Sequence, residues 1–190
     1  MTIGFVLGNG KSREEVLLNR LAPRGKIYGC NGLYRDFKPN VLVATDKPIA
    51  TAIQESGYAR KNLFFTRNPI SGLGARPVPP QYYGFSSGPI AAAIAAAEND
   101  VVFLIGFDLG GVTKKFNNIY ADTDFYKKSS DPAVPGDNWA RQLAKIATDY
   151  PKVQFVRVIV PEVSKKIPFN HLPNFDTLPL KTFFKLLNTL

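Results

Sequence analysis

Apolar residues come along this chain in short dense runs, each closed by a small or polar residue. Ile3–Leu7 is the first, and Gly8 ends it. Runs of this length that stop at a turn residue predict buried strands. Lys26–Cys30 predicts a second strand, ending at Asn31-Gly32, and Val41–Thr45 a third, ending at Asp46-Lys47-Pro48. Leu63–Thr66 is a shorter fourth. Val101–Ile105, followed by Gly106, is the clearest run, and Val153–Val160 is the last.

Helical patterns fill the spaces between. Ser12-Arg13-Glu14-Glu15 has the form of a capping box, with the Ser hydroxyl on the N–H of Glu15 and the Glu reaching back. Val16, Leu17, Leu18 and Leu21 then supply an apolar side, and Pro23 with Gly25 stops it. A helix is expected over about Ile49–Ser56, capped by Gly57. An Ala-rich helix follows over Ile90–Glu98, with Ser87 as its cap and Pro89 in its first turn. Asp137 or Asn138 starts a helix that runs to about Tyr150 and stops at Pro151. A short helix, Leu180–Leu190, closes a tail that begins after Pro161 and carries Pro168, Pro173 and Pro179.

Two segments break this rhythm. Asn68–Gly84 is punctuated by Pro69, Gly72, Gly74, Pro77, Pro79 and Pro80, and reads as a long loop with a functional use. Gly110–Asp137 is polar, with "NNIYADTDFYKKSSDPAVPGD" at its heart, and reads as a lid insertion. The alternation elsewhere predicts a single Rossmann-like α/β domain over residues 1–190, doubly wound on a mostly parallel sheet. Ligands bind such sheets beyond the carboxyl ends of the strands. Gly8-Asn9-Gly10, Asn31-Gly32, Asp46 and Gly106-Phe107-Asp108 therefore converge. The first and fifth strands also echo each other, as "FVLGNG" and "FLIGFDLGG".

Composition narrows the classes. Apolar residues make up 45% and charged residues 21%, as in a globular protein. The longest apolar stretches, Pro89–Ala97 and Val101–Phe107, are too short to span a bilayer. No basic segment precedes the first apolar run, so no signal peptide is read and a cytoplasmic location is expected. Cys30 is alone, which excludes an intramolecular disulfide and a multi-cysteine zinc site. The net charge of +9 favours anionic partners: a nucleotide, a phosphosugar or nucleic acid. Lys and Arg are scattered in pairs rather than gathered in a run.

Gly10-Lys11-Ser12 looks like the end of a P-loop. The spacing rules it out, because Phe5 stands where the first glycine must be. The dinucleotide pattern fits only at Gly8 and Gly10; Arg13 takes the place of the third glycine. What remains is a tight turn into a helix N-terminus, offering N–H groups to an anion. Asn9 either reads a ligand edge or bonds its own backbone.

Four motifs occur in a meaningful order: "GNG" with Ser12, "GCNGLY", "SSGPIAAAIAAAE" and "LIGFD". As a set they resemble the Campylobacter-type bacterial sialyltransferases and the related MptE-like proteins, over roughly Met1–Leu109. The resemblance implies a Rossmann-like domain that binds a CMP-sugar donor and requires no other cofactor. It assigns nucleotide contacts to Asn9, Asn31, Ser87, Gly88, Gly106 and Asp108, and the donor phosphate is then expected over the loop of Gly8, Gly10 and Ser12. It also implies lid groups on the phosphate, here Tyr120, Tyr126 and Lys127. In the same reading Lys114, Lys115 and Lys128 cover the leaving group.

The family's catalytic base is a lid histidine, and this lid has none. The only histidine, His171, lies beyond the last strand run. The candidate catalytic groups are therefore Asp46, Asp108 and His171, with Asp122 and Asp124 as further carboxylates. Asp108, Asp122, Asp124, Asp131 and Asp137 also suggest a Mg²⁺ grip. Mg²⁺ belongs to the alternative the MptE-like branch implies, a diphosphokinase acting with ATP on a pterin-like alcohol. A non-catalytic or nucleic-acid-associated protein of the same fold is the other alternative. Neither the acceptor nor the oligomeric state is legible.

Overall fold

In the computed structural model, eight strands lie in one sheet, in the order β5-β4-β3-β2-β1-β6-β7-β8. They are β1 (Ile3–Leu7), β2 (Lys26–Cys30), β3 (Val41–Val43), β4 (Phe64–Thr66), β5 (Arg76–Pro77), β6 (Val101–Ile105), β7 (Gln154–Ile159) and β8 (Phe175–Pro179). The helices are α1 (Lys47–Glu55), α2 (Tyr58–Lys61), α3 (Ser87–Ala96), α4 (Asp137–Asp149) and α5 (Leu180–Leu187). The structure describes residues 1–167, 169 and 171–190, so Pro168 of the tail lies outside it. Every strand pair is parallel. The fold is Rossmann-like and doubly wound, and the chain reverses its direction of growth between β1 and β6.

Two apolar layers hold the sheet. On one face Val6, Tyr28 and Leu104 pack under α3 and α4. The alanines of α3 are buried all round, which lets that helix lie close to the strands. On the other face Phe5 stacks on Phe103 at 5.6 Å, and Phe183 of α5 closes over both. Full burial of a side chain such as Phe183 stabilises by about 2–3 kcal/mol.

The register sets up the site. Leu7 stands opposite Gly29 on one side and Ile105 on the other. The strands therefore end level, and Gly8, Asn31 and Gly106 leave the sheet at one height.

Several local expectations are corrected. No α-helix follows β1; Lys11–Arg13 and Leu18–Arg20 are separate 3₁₀ turns. Ser12 makes no cap, and its N–H donates to Asp108 Oδ2 at 3.0 Å instead. Arg13 turns inward and is buried, whereas an amphipathic helix would hold it in solvent. Ser87 is the first residue of α3 rather than its cap, which is Ser86. The tail contains a strand, β8, drawn in by Phe175, which stacks on Phe169 at 4.1 Å and Phe155 at 6.0 Å. The 68–84 loop carries the two-residue β5 and a 3₁₀ turn, Pro80–Tyr82. Residues 111–136 have no regular element beyond one bridge, Lys115 to Pro132. Among the described residues, no helix is long and apolar enough to cross a membrane.

Candidate functional site

A cleft of about 350 Å³ opens above the carboxyl ends of β1, β2, β3 and β6. That is the size and position expected for a small-ligand site in such a sheet. Gly8, Asn9, Gly10, Asn31, Asp46, Ser87, Gly88, Gly106 and Asp108 all line it. The structure thus gathers most of the sequence candidates, but it uses them in different ways.

The two glycine loops interlock. Gly8 N–H donates to Ile105 O at 2.8 Å and Gly10 N–H to Gly106 O at 2.9 Å. A Cβ on Gly10 would stand 2.5 Å from Asp108 Oδ2. Gly106 has φ +77, and its own Cβ would meet Gly8 O at 2.6 Å. The glycines are required for this contact between backbones, whatever else they do. Lys11 N–H is taken by Asn117 Oδ1 at 2.9 Å and Ser12 N–H by Asp108. Few amides of the loop are left for a ligand.

Asp108 is a structural tie. It is buried, and Ser164 Oγ donates to its Oδ1 at 2.8 Å while Ser12 N–H occupies Oδ2. The Asp108 charge reaches buried Arg157. Its guanidinium donates to Phe107 O at 2.8 Å and Lys165 O at 3.0 Å, fixing the loop after β6. Burial lowers its pKa to about 10, and the Asp108 charge opposes that fall.

Asn9 faces both ways. Its Nδ2 donates to Cys30 O and Tyr126 Oη, each at 3.2 Å. Its Oδ1 is buried and, among the described residues, has no donor. Asn31 adopts φ +50, a conformation that asparagine tolerates better than most residues. Its Oδ1 accepts from Ser87 Oγ at 3.0 Å, and Ser87 Oγ in turn accepts from Thr45 N–H at 3.0 Å. Its Nδ2 donates to no group of the described chain. These bonds tie β2, β3 and α3 together at the floor of the cleft.

The wall made by α3 is the reverse of the glycine junction. Ser86 N–H donates to Gln142 Oε1, and Pro89 has no N–H. The amides of Ser87 and Gly88 find no acceptor among the described residues. Beside them Arg67 is clamped by Tyr83 O and Phe85 O, both at 2.7 Å. Trp139, at the start of α4, completes the wall and donates from Nε1 to Ser86 Oγ at 3.1 Å. Asn118 and Asn117 close the cleft from the 111–136 segment. Arg67, Trp139, Asn117 and Asn118 carry no sequence motif. The one available signal was that Trp139 is the sole tryptophan and follows a Pro-Gly-Asp turn.

The remaining candidates lie apart. Tyr120 and Tyr126 pack on each other behind Asn9, with centroids 5.5 Å apart, and neither lines the cleft. Tyr126 Oη accepts from Gly32 N–H at 2.8 Å, and Tyr120 Oη accepts from Arg13 at 3.3 Å. Burial pushes the Tyr120 hydroxyl up to about 12 and the Tyr126 hydroxyl higher still. Lys127 and His171 are exposed and outside the cleft lining. Asp46 is exposed at the rim and caps α1 without a side-chain bond, so its carboxylate is uncommitted. Cys30 is buried, and burial raises its thiol to about 12.

The acidic residues do not gather. Asp122 accepts from Ser129 N–H and Asp131 from Lys128 N–H, as turn residues do. Among the described residues, no three metal-ligating side chains come together. Compared with family models, curated proteins and solved structures, the chain matches none.

Proposed function

We propose that the cleft binds a nucleotide or nucleotide sugar and that the protein is a small glycosyltransferase-like enzyme of the sialyltransferase-like kind. One observation carries this. Two acceptor-free amides at the start of α3 share a wall with a guanidinium held in place by two carbonyls. Helix N-terminal amides and the helix dipole favour an anion. A preorganised arginine adds charge and a fork that fits phosphate. The free Oδ1 of Asn9 offers an acceptor to a nucleoside hydroxyl or amine. Trp139 offers a flat apolar surface to the base. Asn9, Asn31, Ser87 and Gly88, the residues the motifs single out, share this cleft.

In the transfer step, Asp46 takes the proton of an acceptor hydroxyl as its oxygen attacks the anomeric carbon of the donor. The carbon–oxygen bond to phosphate breaks, and the electron pair leaves on the nucleotide. Arg67 and the α3 amides stabilise that charge as it develops.

The single tryptophan lines the cleft, so its fluorescence reports occupancy. CMP, UDP, GDP, ATP and CMP-sialic acid are titrated with and without Mg²⁺. Saturable quenching by CMP and its sugar is expected. Asp46→Asn should keep that binding and slow release of CMP from the donor by about a hundredfold. Silence toward every nucleotide at millimolar levels rejects the proposal.

A further inference from the structure

A second cavity, of about 430 Å³, lies on the 111–136 segment beside the cleft. Asn117 lines both. Its Oδ1 holds Lys11 N–H, and its Nδ2 donates to Val163 O at 3.2 Å, so one carboxamide forms the partition. Lys11 and Lys115 stand in the lining, and neither takes part in an ion pair among the described residues. Ser129 and Ser130 add hydroxyls, and Phe116 an apolar floor. Asp122, on the same segment, is engaged by Ser129 N–H at 3.0 Å. The bonds to Ser129 hold its carboxyl below the ordinary range, helped by the charges of Lys128 and Lys11.

We infer that this cavity is a binding site for a second, anionic small molecule, carrying a phosphate monoester or a carboxylate on a compact carbon skeleton. Two ammonium groups that form no ion pair among the described residues, with the Ser130 hydroxyl in the same lining, answer such a group, and the apolar floor takes the skeleton. The inference rests on the nucleotide reading of the neighbouring cleft in one respect: there, the second molecule is the acceptor. An anion anchored at Lys11 and Lys115 is separated from the donor by the Asn117 carboxamide. Lys11, excluded as a P-loop lysine by spacing, thereby acquires a role.

Amide ¹⁵N–¹H spectra of the intact protein test this with inorganic phosphate, glucose 6-phosphate, glucuronate and glucose. Glucose 6-phosphate or glucuronate should move the amides of Lys115, Ser129 and Ser130, and the stronger of the two tells phosphate from carboxylate. Glucose should leave them unmoved. CMP should move those of Ser87 and Gly88 and should not displace the sugar anion. The double variant Lys11→Gln with Lys115→Gln should bind the sugar anion about tenfold more weakly, with CMP affinity unchanged. The inference is overturned if neither anionic sugar moves the Lys115–Ser130 set, if CMP displaces it, or if the double variant binds as wild type. Should the double variant fail to fold, the wild-type competition alone decides. Loss of CMP binding with the second set still responding rejects the nucleotide proposal and leaves this site standing.

Discussion

At the junction of β1 and β6, the backbone amides and the Asp108 carboxylate are answered within the chain, while Asn9 Oδ1, Ser12 Oγ and two guanidinium nitrogens of Arg13 are buried without a partner among the described residues. Gly8, Gly10, Lys11 and Ser12 all donate their amides to neighbours, and both oxygens of Asp108 are occupied. Across the same cleft, at the start of α3, two amides and a clamped arginine face the opening with capacity left over. The glycine loops look like a binding motif and act as a structural knot. The unremarked Arg67 and the first turn of α3 hold the groups a ligand would need. A glycine-rich turn marks where backbones come close, and the close partner here is another part of the same chain.

Asp108 carries the largest expected effect. Asp108→Asn leaves Ser12 N–H or Ser164 Oγ unmet and Arg157 without a nearby charge. A loss of about 4 kcal/mol in urea unfolding is expected. A loss under about 1 kcal/mol would mean the knot is not structural. Gly106→Ala forces a side chain into a left-handed conformation and against Gly8 O, with an expected loss of about 3 kcal/mol by the same measurement.

Cys30, whose carbonyl holds Asn9, supplies a pH test of the same region. Its thiol ordinarily titrates near 9.0 and in the fold near 12. Between these values the unfolded chain has released a proton that the folded chain keeps, so stability falls as pH rises. Wild type should lose on the order of 1 kcal/mol per pH unit relative to Cys30→Ala across that window, read by urea unfolding at each pH. Parallel curves for the two proteins would contradict the buried thiol.

How much of this was legible can be judged residue by residue. The strands of the sheet's centre were, because Ile3–Leu7 and Val101–Ile105 are apolar runs with turn residues at their ends. β8 was not. "FDTLP" has a proline and an aspartate, which an edge strand tolerates, and its place is fixed by the distant stacking of Phe175 on Phe155. The false helix after β1 arose because Leu17, Leu18 and Leu21 have helical spacing; the structure buries Leu21 and leaves Leu17 64% exposed. What decided against the helix was Arg13 turning in toward Tyr120, a contact from 107 residues away. Asn9, Asn31 and Ser87 were legible as residues of the cleft because they follow strands or open a helix. Arg67 was not, since its value depends on two carbonyls in a loop with no repeating pattern.

Smaller effects sharpen the contrast. Arg35 donates to Thr123 Oγ1 and Asp124 O, both at 2.9 Å, and lies about 6 Å from the rings of Tyr120, Phe125 and Tyr126. Arg35→Ala should cost only about 0.5–1 kcal/mol globally yet speed amide exchange over residues 119–126. Unchanged exchange there would remove Arg35 as the latch of that segment.

The most direct measurement is a CMP titration followed by Trp139 fluorescence in wild type and in Arg67→Ala. Saturable quenching in wild type is expected, with affinity about tenfold weaker in the variant and stability within about 1 kcal/mol of wild type. Equal affinity in the two proteins, or no quenching by CMP at millimolar concentration, would contradict the assignment of the phosphate site to the α3 wall.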